Sequence, residues 1–220
     1  MGRLGIRPCT ITRTMEPIDI HTHITTPSKR TIYNSGTEYI AGRSISIGIH
    51  PWHINHKWSE DFAAIATLAK ENNVMAIGEC GLDTLKSPAA IEVQEEVFKA
   101  HIQLSEALQK PLIIHCVKAH DRLIALHRET RPTQAWILHG FRGKPQQANQ
   151  LIKEGFYISL GEKFNPDSAK AIPTERLFIE TDESRCPIEE IYASIATAKG
   201  ISTEELAMQI AANAIIFGQF

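Results

Sequence analysis

The feature that most constrains this chain is an alternation, running from Pro17 to the end, between compact apolar blocks and helix-like stretches. The blocks are rich in Val, Ile, Leu and aromatic residues. They predict buried parallel strands over 18–22, 44–49, 74–78, 112–115, 135–139, 156–159 and 177–181. The intervening patterns predict helices over 61–71, 90–108, 120–129, 145–154 and 167–171, and two more over 188–198 and 203–217. Some boundaries carry their own punctuation: Pro111 ends the long helix, Gly155 stands where a helix C-cap belongs, and Ser202 faces Glu205 as a capping box.

Alternating strands and helices mean a parallel sheet with helical crossovers, either doubly wound or closed into a (β/α) barrel. No glycine-rich phosphate loop of the dinucleotide or Walker type follows any strand, which removes the usual nucleotide-binding signatures. Seven predicted strands are one short of a full barrel, and 220 residues fall below the roughly 250 typical of that fold. The shortfall is local, because residues 24–42 show neither a helix of normal length nor a clear strand. One domain is therefore expected over 17–220. Residues 1–16, with Arg3, Arg7 and Arg13, read as a disordered N-terminal extension, with Met15 as an alternative start.

Composition serves mainly to exclude. A formal net charge of −2 argues against nucleic-acid binding through bulk charge, so a polyanion would have to meet a local patch. The four cysteines (Cys9, Cys80, Cys116 and Cys186) are scattered without CxxC spacing, which argues against a zinc ribbon or a disulfide framework. Reduced thiols of a cytoplasmic protein are the expectation. No apolar run is long enough to span a membrane, and the opening residues lack the apolar core of a signal peptide.

The chemistry-bearing residues fall at strand ends. His21 and His23 end the first predicted strand, His50 the second, Glu79 the third, His115 the fourth, His139 the fifth and Asp182 the seventh. In a parallel (β/α) fold these ends share one face, so the donors converge where such folds place their active sites. His21 and His23 lie two apart, project to the same side of a strand and can grip one cation. Imidazole and carboxylate without thiolate suit zinc, manganese, iron or nickel, with magnesium at carboxylate-rich positions. The donors outnumber those of one tetrahedral ion, whereas two ions about 3.5–4 Å apart, bridged by a carboxylate, use them naturally.

At these residues the chain resembles the TatD family of metal-dependent deoxyribonucleases, within the amidohydrolase-like TIM barrels. The resemblance runs from Ile18 to Phe217 and rests on Asp19-Ile20-His21-Thr22-His23, Gly48-Ile49-His50-Pro51, Gly78-Glu79-Cys80-Gly81-Leu82-Asp83 and Gln94 leading to Phe98. It continues through Pro111-Leu112-Ile113-Ile114-His115, His139-Gly140-Phe141, Glu180-Thr181-Asp182 and Asn213. It implies that His21, His23 and Asp182 hold one divalent ion (Mg²⁺, Mn²⁺ or Zn²⁺), that His115 and His139 hold a second, and that Glu79 bridges them. A water between the ions would become the attacking hydroxide, with Asp182 accepting its proton and Glu79 completing the catalytic pair. His50 is expected to face a phosphate oxygen. Asp19 is either an imidazole-orienting group or a buried structural one.

Two departures from the family pattern bear on the substrate. Residues 24–42 are too short for the additional helix and strand of the family, which predicts an incomplete or distorted barrel with a more open wall there. The family's fourth-strand arginine is replaced by Val117, and the later loops read His139-Gly140-Phe141-Arg142-Gly143 and Asp182-Glu183-Ser184.

The predicted strand-end loops still carry Lys86, Lys118, Arg142, Lys144, Lys163 and Arg185, and Lys118 and Arg142 are expected to bind an anionic substrate with His50. Trp52 and Phe141 are either base-stacking or packing residues. Cys80 and Cys116 read as small buried hydrophobes. The leading expectation is thus a two-metal phosphodiesterase or deoxyribonuclease, with single-stranded DNA as a candidate substrate. The alternatives are hydrolysis of another ester or amide, such as an aminoacyl ester, and a non-catalytic metal-binding member of the family.

Overall fold

The computed structural model describes residues 16–25 and 30–218, so the expected N-terminal extension lies, but for Glu16, outside the described residues. Eight parallel strands form one sheet whose spatial order is the chain order. They are β1 (Asp19–Thr22), β2 (Thr31–Asn34), β3 (Ile45–Ile47), β4 (Val74–Asp83), β5 (Leu112–Val117), β6 (Trp136–Leu138), β7 (Tyr157–Leu160) and β8 (Leu177–Ile179). The helices are α1 (Trp58–Leu68), α2 (Ile91–Leu108), α3 (His120–Thr130), α4 (Pro145–Lys153), α5 (Pro166–Ala171), α6 (Ile188–Lys199) and α7 (Thr203–Asn213).

The first and last strands meet at a single parallel bridge between Thr22 and Asp182. Asp182 N donates to His21 O at 2.9 Å, and His23 N donates to Asp182 O at 3.0 Å. Below that bridge, Asp19 accepts from Thr181 N at 3.0 Å and from Thr181 Oγ1 at 2.7 Å, pinning β1 to the chain leaving β8. On the outside, Tyr192 of α6 donates its hydroxyl to Ile18 O at 2.8 Å. The fold is a nearly closed (β/α) barrel. Asp19 is a structural staple: its oxygens take backbone and hydroxyl donors and orient no imidazole.

The strand count needs correction, from seven to eight. The additional strand, β2, lies within residues 24–42, and it pairs with both β1 and β3. What that segment lacks among the described residues is a helix: none lies between β1 and β2 or between β2 and β3. The opposite side is complete, since each of β4 to β8 is followed by a helix.

The helices form where their ends are supplied locally. Asn165 accepts from Asp167 N and Ser168 N to open α5, and Ser202 accepts from Glu205 N at 3.0 Å to open α7. Apolar side chains from both layers make one core. Phe98 of α2 meets Trp136 of β6 edge to face, and Trp136 meets Phe156.

The longest strand, β4, is buried along all ten residues. Between the Ile77–Leu112 and Cys80–Ile114 pairs, two residues of β4 (Gly78 and Glu79) run against one of β5 (Ile113), so the register slips by one there. A Cβ at Gly78 or Gly81 would run into the carbonyl of Ile113 or His115, so only glycine lets the strands lie this close. Glu79 emerges at this irregularity, on the face that carries the chemistry.

Candidate metal centre

Each expected ligand sits where a strand delivers it. His21 is within β1 and His23 just beyond it, Glu79 is in β4, His115 in β5, His139 just past β6 and Asp182 just past β8. The structure brings all six together with His50. Four overlapping triads have donor atoms within 4.8 Å of one another: His21/His23/Asp182, His21/Glu79/His139, His50/Glu79/His115 and His139/Glu180/Asp182.

Glu79 is the hub. Its Oε1 lies 2.7 Å from His139 Nε2, 3.0 Å from His115 Nδ1 and 3.2 Å from His50 Nε2. Its Oε2 lies 3.4 Å from His23 Nε2 and 3.5 Å from His21 Nε2, and accepts from Asn34 Nδ2 at 3.0 Å. Asp182 Oδ1 adds a second carboxylate on the His21/His23 side, at 3.9 and 3.7 Å. The two oxygens of one carboxylate thus divide the imidazoles into two groups.

The electrostatics fit a cation site. Burial alone would push the Glu79 carboxyl up and His139 down. Their mutual attraction, with help from the other histidines and from Glu180, reverses both: Glu79 is held well below the usual carboxylate range and His139 well above the usual imidazole range. His23 is raised, chiefly by its hydrogen bond to Glu79, whereas burial lowers His50. His21, with no solvent exposure, has no hydrogen-bond partner on either ring nitrogen among the described residues. A buried imidazole without a partner is costly, and a metal ion is the natural occupant of such a lone pair.

Three functional neighbours were not singled out in the sequence. Asp83 Oδ2 accepts from Trp52 Nε1 at 2.6 Å and faces His115 Nε2 at 3.1 Å, while its Oδ1 accepts from Leu85 N and Lys86 N. Burial pushes Asp83 up, but these hydrogen bonds outweigh it and bring its pKa down to about 2. Glu180 Oε1 accepts from Gly140 N at 2.6 Å and lies 3.5 Å from His139 Nδ1. Asn34, at the end of β2, completes the set. Asp83 and Glu180 each lie in a motif already quoted, and the four-residue step from Glu79 to Asp83 along one strand was the available signal.

The centre opens into a cavity of about 910 Å³, lined by the candidate ligands other than His21 and by Lys86, Lys118 and Arg142. Arg142 and Lys163 also line a smaller recess of about 180 Å³ beside Glu180, and Lys144 and Arg185 line neither. Trp52 is occupied by packing: its indole N–H is spent on Asp83, and Lys86 Nζ lies 4.4 Å over its ring. Phe141 is 4% exposed. Both aromatics are thus packed side chains that also line the cavity. Cys80 is buried, with its thiol pushed well up, and burial takes Cys116 to about 12, as expected of inert small side chains. Among the described residues, no helix is long and apolar enough to cross a membrane.

A parallel barrel whose strand ends converge on histidines and carboxylates defines the class: a metal-dependent hydrolase of the TIM-barrel type. Residues 19–217 match the model of the TatD-related DNase family, and the chain belongs to that family. It is 32% identical over 184 residues to the uncharacterized metal-dependent hydrolase YcfH of Escherichia coli K12, covering 74% of this chain and 68% of that one. It is 33% identical over 193 residues to the 3′-5′ ssDNA/RNA exonuclease TatD of Klebsiella pneumoniae, covering 76% and 73%. The fold matches the crystal structure of the TatD homologue YjjV of E. coli K12 with a TM-score of 0.78 at 19% identity, over 91% of this chain and 96% of that one. The chain is thus a hydrolytic, metal-dependent enzyme acting on ester bonds.

Proposed function

We propose that the chain is a two-metal phosphodiesterase whose substrate is nucleic acid, with single-stranded DNA the first to test. The observation that carries this reading is the division of imidazoles between the two oxygens of Glu79. On it, His21, His23 and Asp182 would hold one divalent ion and His115 and His139 the other, with Glu79 a ligand shared by the two groups. Ions held there supply Lewis acidity toward phosphoryl oxygens and bring the pKa of a bound water toward neutrality.

The chain's own groups do the rest. Asp182 is a quarter exposed, with its carboxylate turned toward the cavity ligands, and accepts the proton released by the attacking water. His50 Nδ1 accepts the Trp52 backbone amide N–H at 3.1 Å, so its Nε2 carries the proton. His50 is accordingly a donor, suited to a non-bridging phosphate oxygen and unsuited to ligation. Lys118 and Arg142, both exposed at the cavity wall, offset substrate charge. The relative named as an ssDNA/RNA exonuclease supports nucleic acid as the substrate class.

The test is metal-replete protein assayed with Mg²⁺, Mn²⁺ and Zn²⁺ separately on a single-stranded oligonucleotide and on a carboxylic ester. Oligonucleotide cleavage is expected, reduced at least about 10³-fold, or roughly 4 kcal/mol of barrier, in Glu79→Gln. Turnover of the ester alone would move the activity to acyl chemistry. Turnover of neither would leave a metal-binding protein without catalysis.

A further inference from the structure

The two halves of the centre differ in what stands behind their imidazoles, and the difference bears on how the centre fills. It rests on the ligand assignment proposed above. On one half, His115 has a carboxylate at each ring nitrogen: Glu79 Oε1 at 3.0 Å from Nδ1 and Asp83 Oδ2 at 3.1 Å from Nε2. Asp83 is 1% exposed and already accepts from the Trp52 indole and the Leu85 and Lys86 amides, so it serves His115 only as an acceptor. The proton of a neutral His115 therefore resides on Nε2, and the Nδ1 lone pair points at Glu79. His139 repeats the pattern in mirror form. The mirror is weaker: its Nε2 lies 2.7 Å from the same Glu79 oxygen, and its Nδ1, which makes no hydrogen bond, faces fully buried Glu180 across an ion-pair distance of 3.5 Å, with Glu180 itself anchored by the Gly140 amide.

In the other half no carboxylate lies within ion-pair distance of the far ring nitrogen of either imidazole among the described residues. His21 Nδ1 is buried with no hydrogen-bond partner among the described residues, so no group there selects its tautomer. The His23 side chain is 39% exposed and that of Asp182 24% exposed, against 13% for His115 and 6% for His139. An ion on this side must compete with water and with an unfixed ring proton.

We propose that the centre loads in order: the His115/Glu79/His139 position binds its divalent ion first and tightly, because Asp83 and Glu180 fix those imidazoles, and the His21/His23/Asp182 position binds second and exchanges. Asp83 and Glu180 are positioning residues, each acting through a histidine. Carboxylates behind metal-ligating imidazoles are worth about 10–100-fold in affinity, enough to separate two otherwise similar positions.

The experiment needs no substrate. Metal-free full-length protein is titrated with Zn²⁺ against a chromophoric chelator, with circular dichroism of each metal-free variant as the control for folding. Two equivalents in two resolved phases are expected. Asp83→Asn and Glu180→Gln should each weaken the first phase about 10–100-fold and move the second by much less. His23→Ala should delete the second phase and leave the first. A single phase in the unaltered protein, a first phase unmoved by both Asp83→Asn and Glu180→Gln, or loss of the tight phase in His23→Ala would each overturn the proposal. Should Asp83→Asn fail to fold, Glu180→Gln reads the same backing from the other imidazole. If His115→Ala and His23→Ala both keep two equivalents, the ligand assignment itself fails, which is a different result from equal affinities.

Discussion

The barrel has two unlike walls. From β4 to β8 every strand is followed by a helix, while β1 and β2 are linked onward by chain without a helix among the described residues. The contrast reaches the centre. Ligands from the helix-covered wall, Glu79, His115 and His139, are largely enclosed; on the other wall His21 within β1 is fully buried, but His23, just past β1, is the most exposed of the candidate histidines. A strand can deliver a ligand without a helix behind it, because the backbone ladder and a neighbour on each side suffice. What the helix adds is exclusion of water and room for buried partners such as Asp83, whose main chain is held by Gln94 of α2. In fact Gln94 accepts from Asp83 N at 2.8 Å and donates to Asp83 O at 3.2 Å.

The comparison can be broken most forcefully at the core. Ile137 of β6 is fully buried on the covered wall, and Ile137→Ala should cost about 2–5 kcal/mol. Tyr33 of β2 is only partly buried, with the Arg43 guanidinium 5.5 Å over its ring. Tyr33→Ala should cost about 1 kcal/mol, the loss of partial burial and a cation–π contact. Urea unfolding of the metal-free variants measures both. Equal losses would show that the uncovered wall is packed as firmly as the other.

The same contrast explains what could be read from the sequence. The strands of the covered wall are strong apolar blocks between helical patterns, and their positions followed directly. In β2, by contrast, Ile32 is the one fully buried apolar side chain among Thr31, Tyr33 and Asn34, and no helix frames it. Four residues of mixed character give periodicity too little to act on. The strand expected to stop at Gly78 runs on to Asp83, because glycine reads as punctuation where the barrel uses it for close approach. The candidate ligands were legible since each falls at or just past the end of an apolar block in the sequence. Asn34, Asp83 and Glu180 were not, because the groups they serve are 45 residues away for Asn34–Glu79 and 32 for Asp83–His115, and only the closed barrel joins them.

His101 ties the two walls together and supplies a pH test of smaller size. From α2 it accepts the Ile49 amide at 3.0 Å, just before His50, and its Nδ1 faces Val97 O at 2.8 Å. Burial lowers its pKa from 6.5 to about 4. The unfolded chain therefore takes the proton first. This contribution to stability is full above pH 6.5, declines as pH falls toward 4, and totals up to about 3 kcal/mol. His101→Gln keeps an acceptor for Ile49 and removes the titration, so the gap between the variant and the parent in urea midpoints should narrow from pH 7 to pH 4.5. A gap that is constant with pH would remove His101 from the acid limb.

The smallest effect concerns substrate approach. Lys86, Lys118 and Arg142, the cations of the main cavity, all follow strands of the covered wall, and the lining contributed by β1 to β3 and their loops contains neither Lys nor Arg among the described residues. A polyanion entering the cavity is therefore drawn along one side. Lys118 and Arg142 are exposed, so each should be worth no more than about 1 kcal/mol: Lys118→Ala and Arg142→Ala should raise KM for an oligonucleotide about 2–5-fold with kcat nearly unchanged. The increase should shrink at high salt, since these charges are open to screening. Ser35→Ala, at the cavity edge on the uncovered side, should move neither constant. If Ser35→Ala raises KM as much as the cation variants do, the substrate lies across both walls, and the asymmetry of the barrel does not set its path.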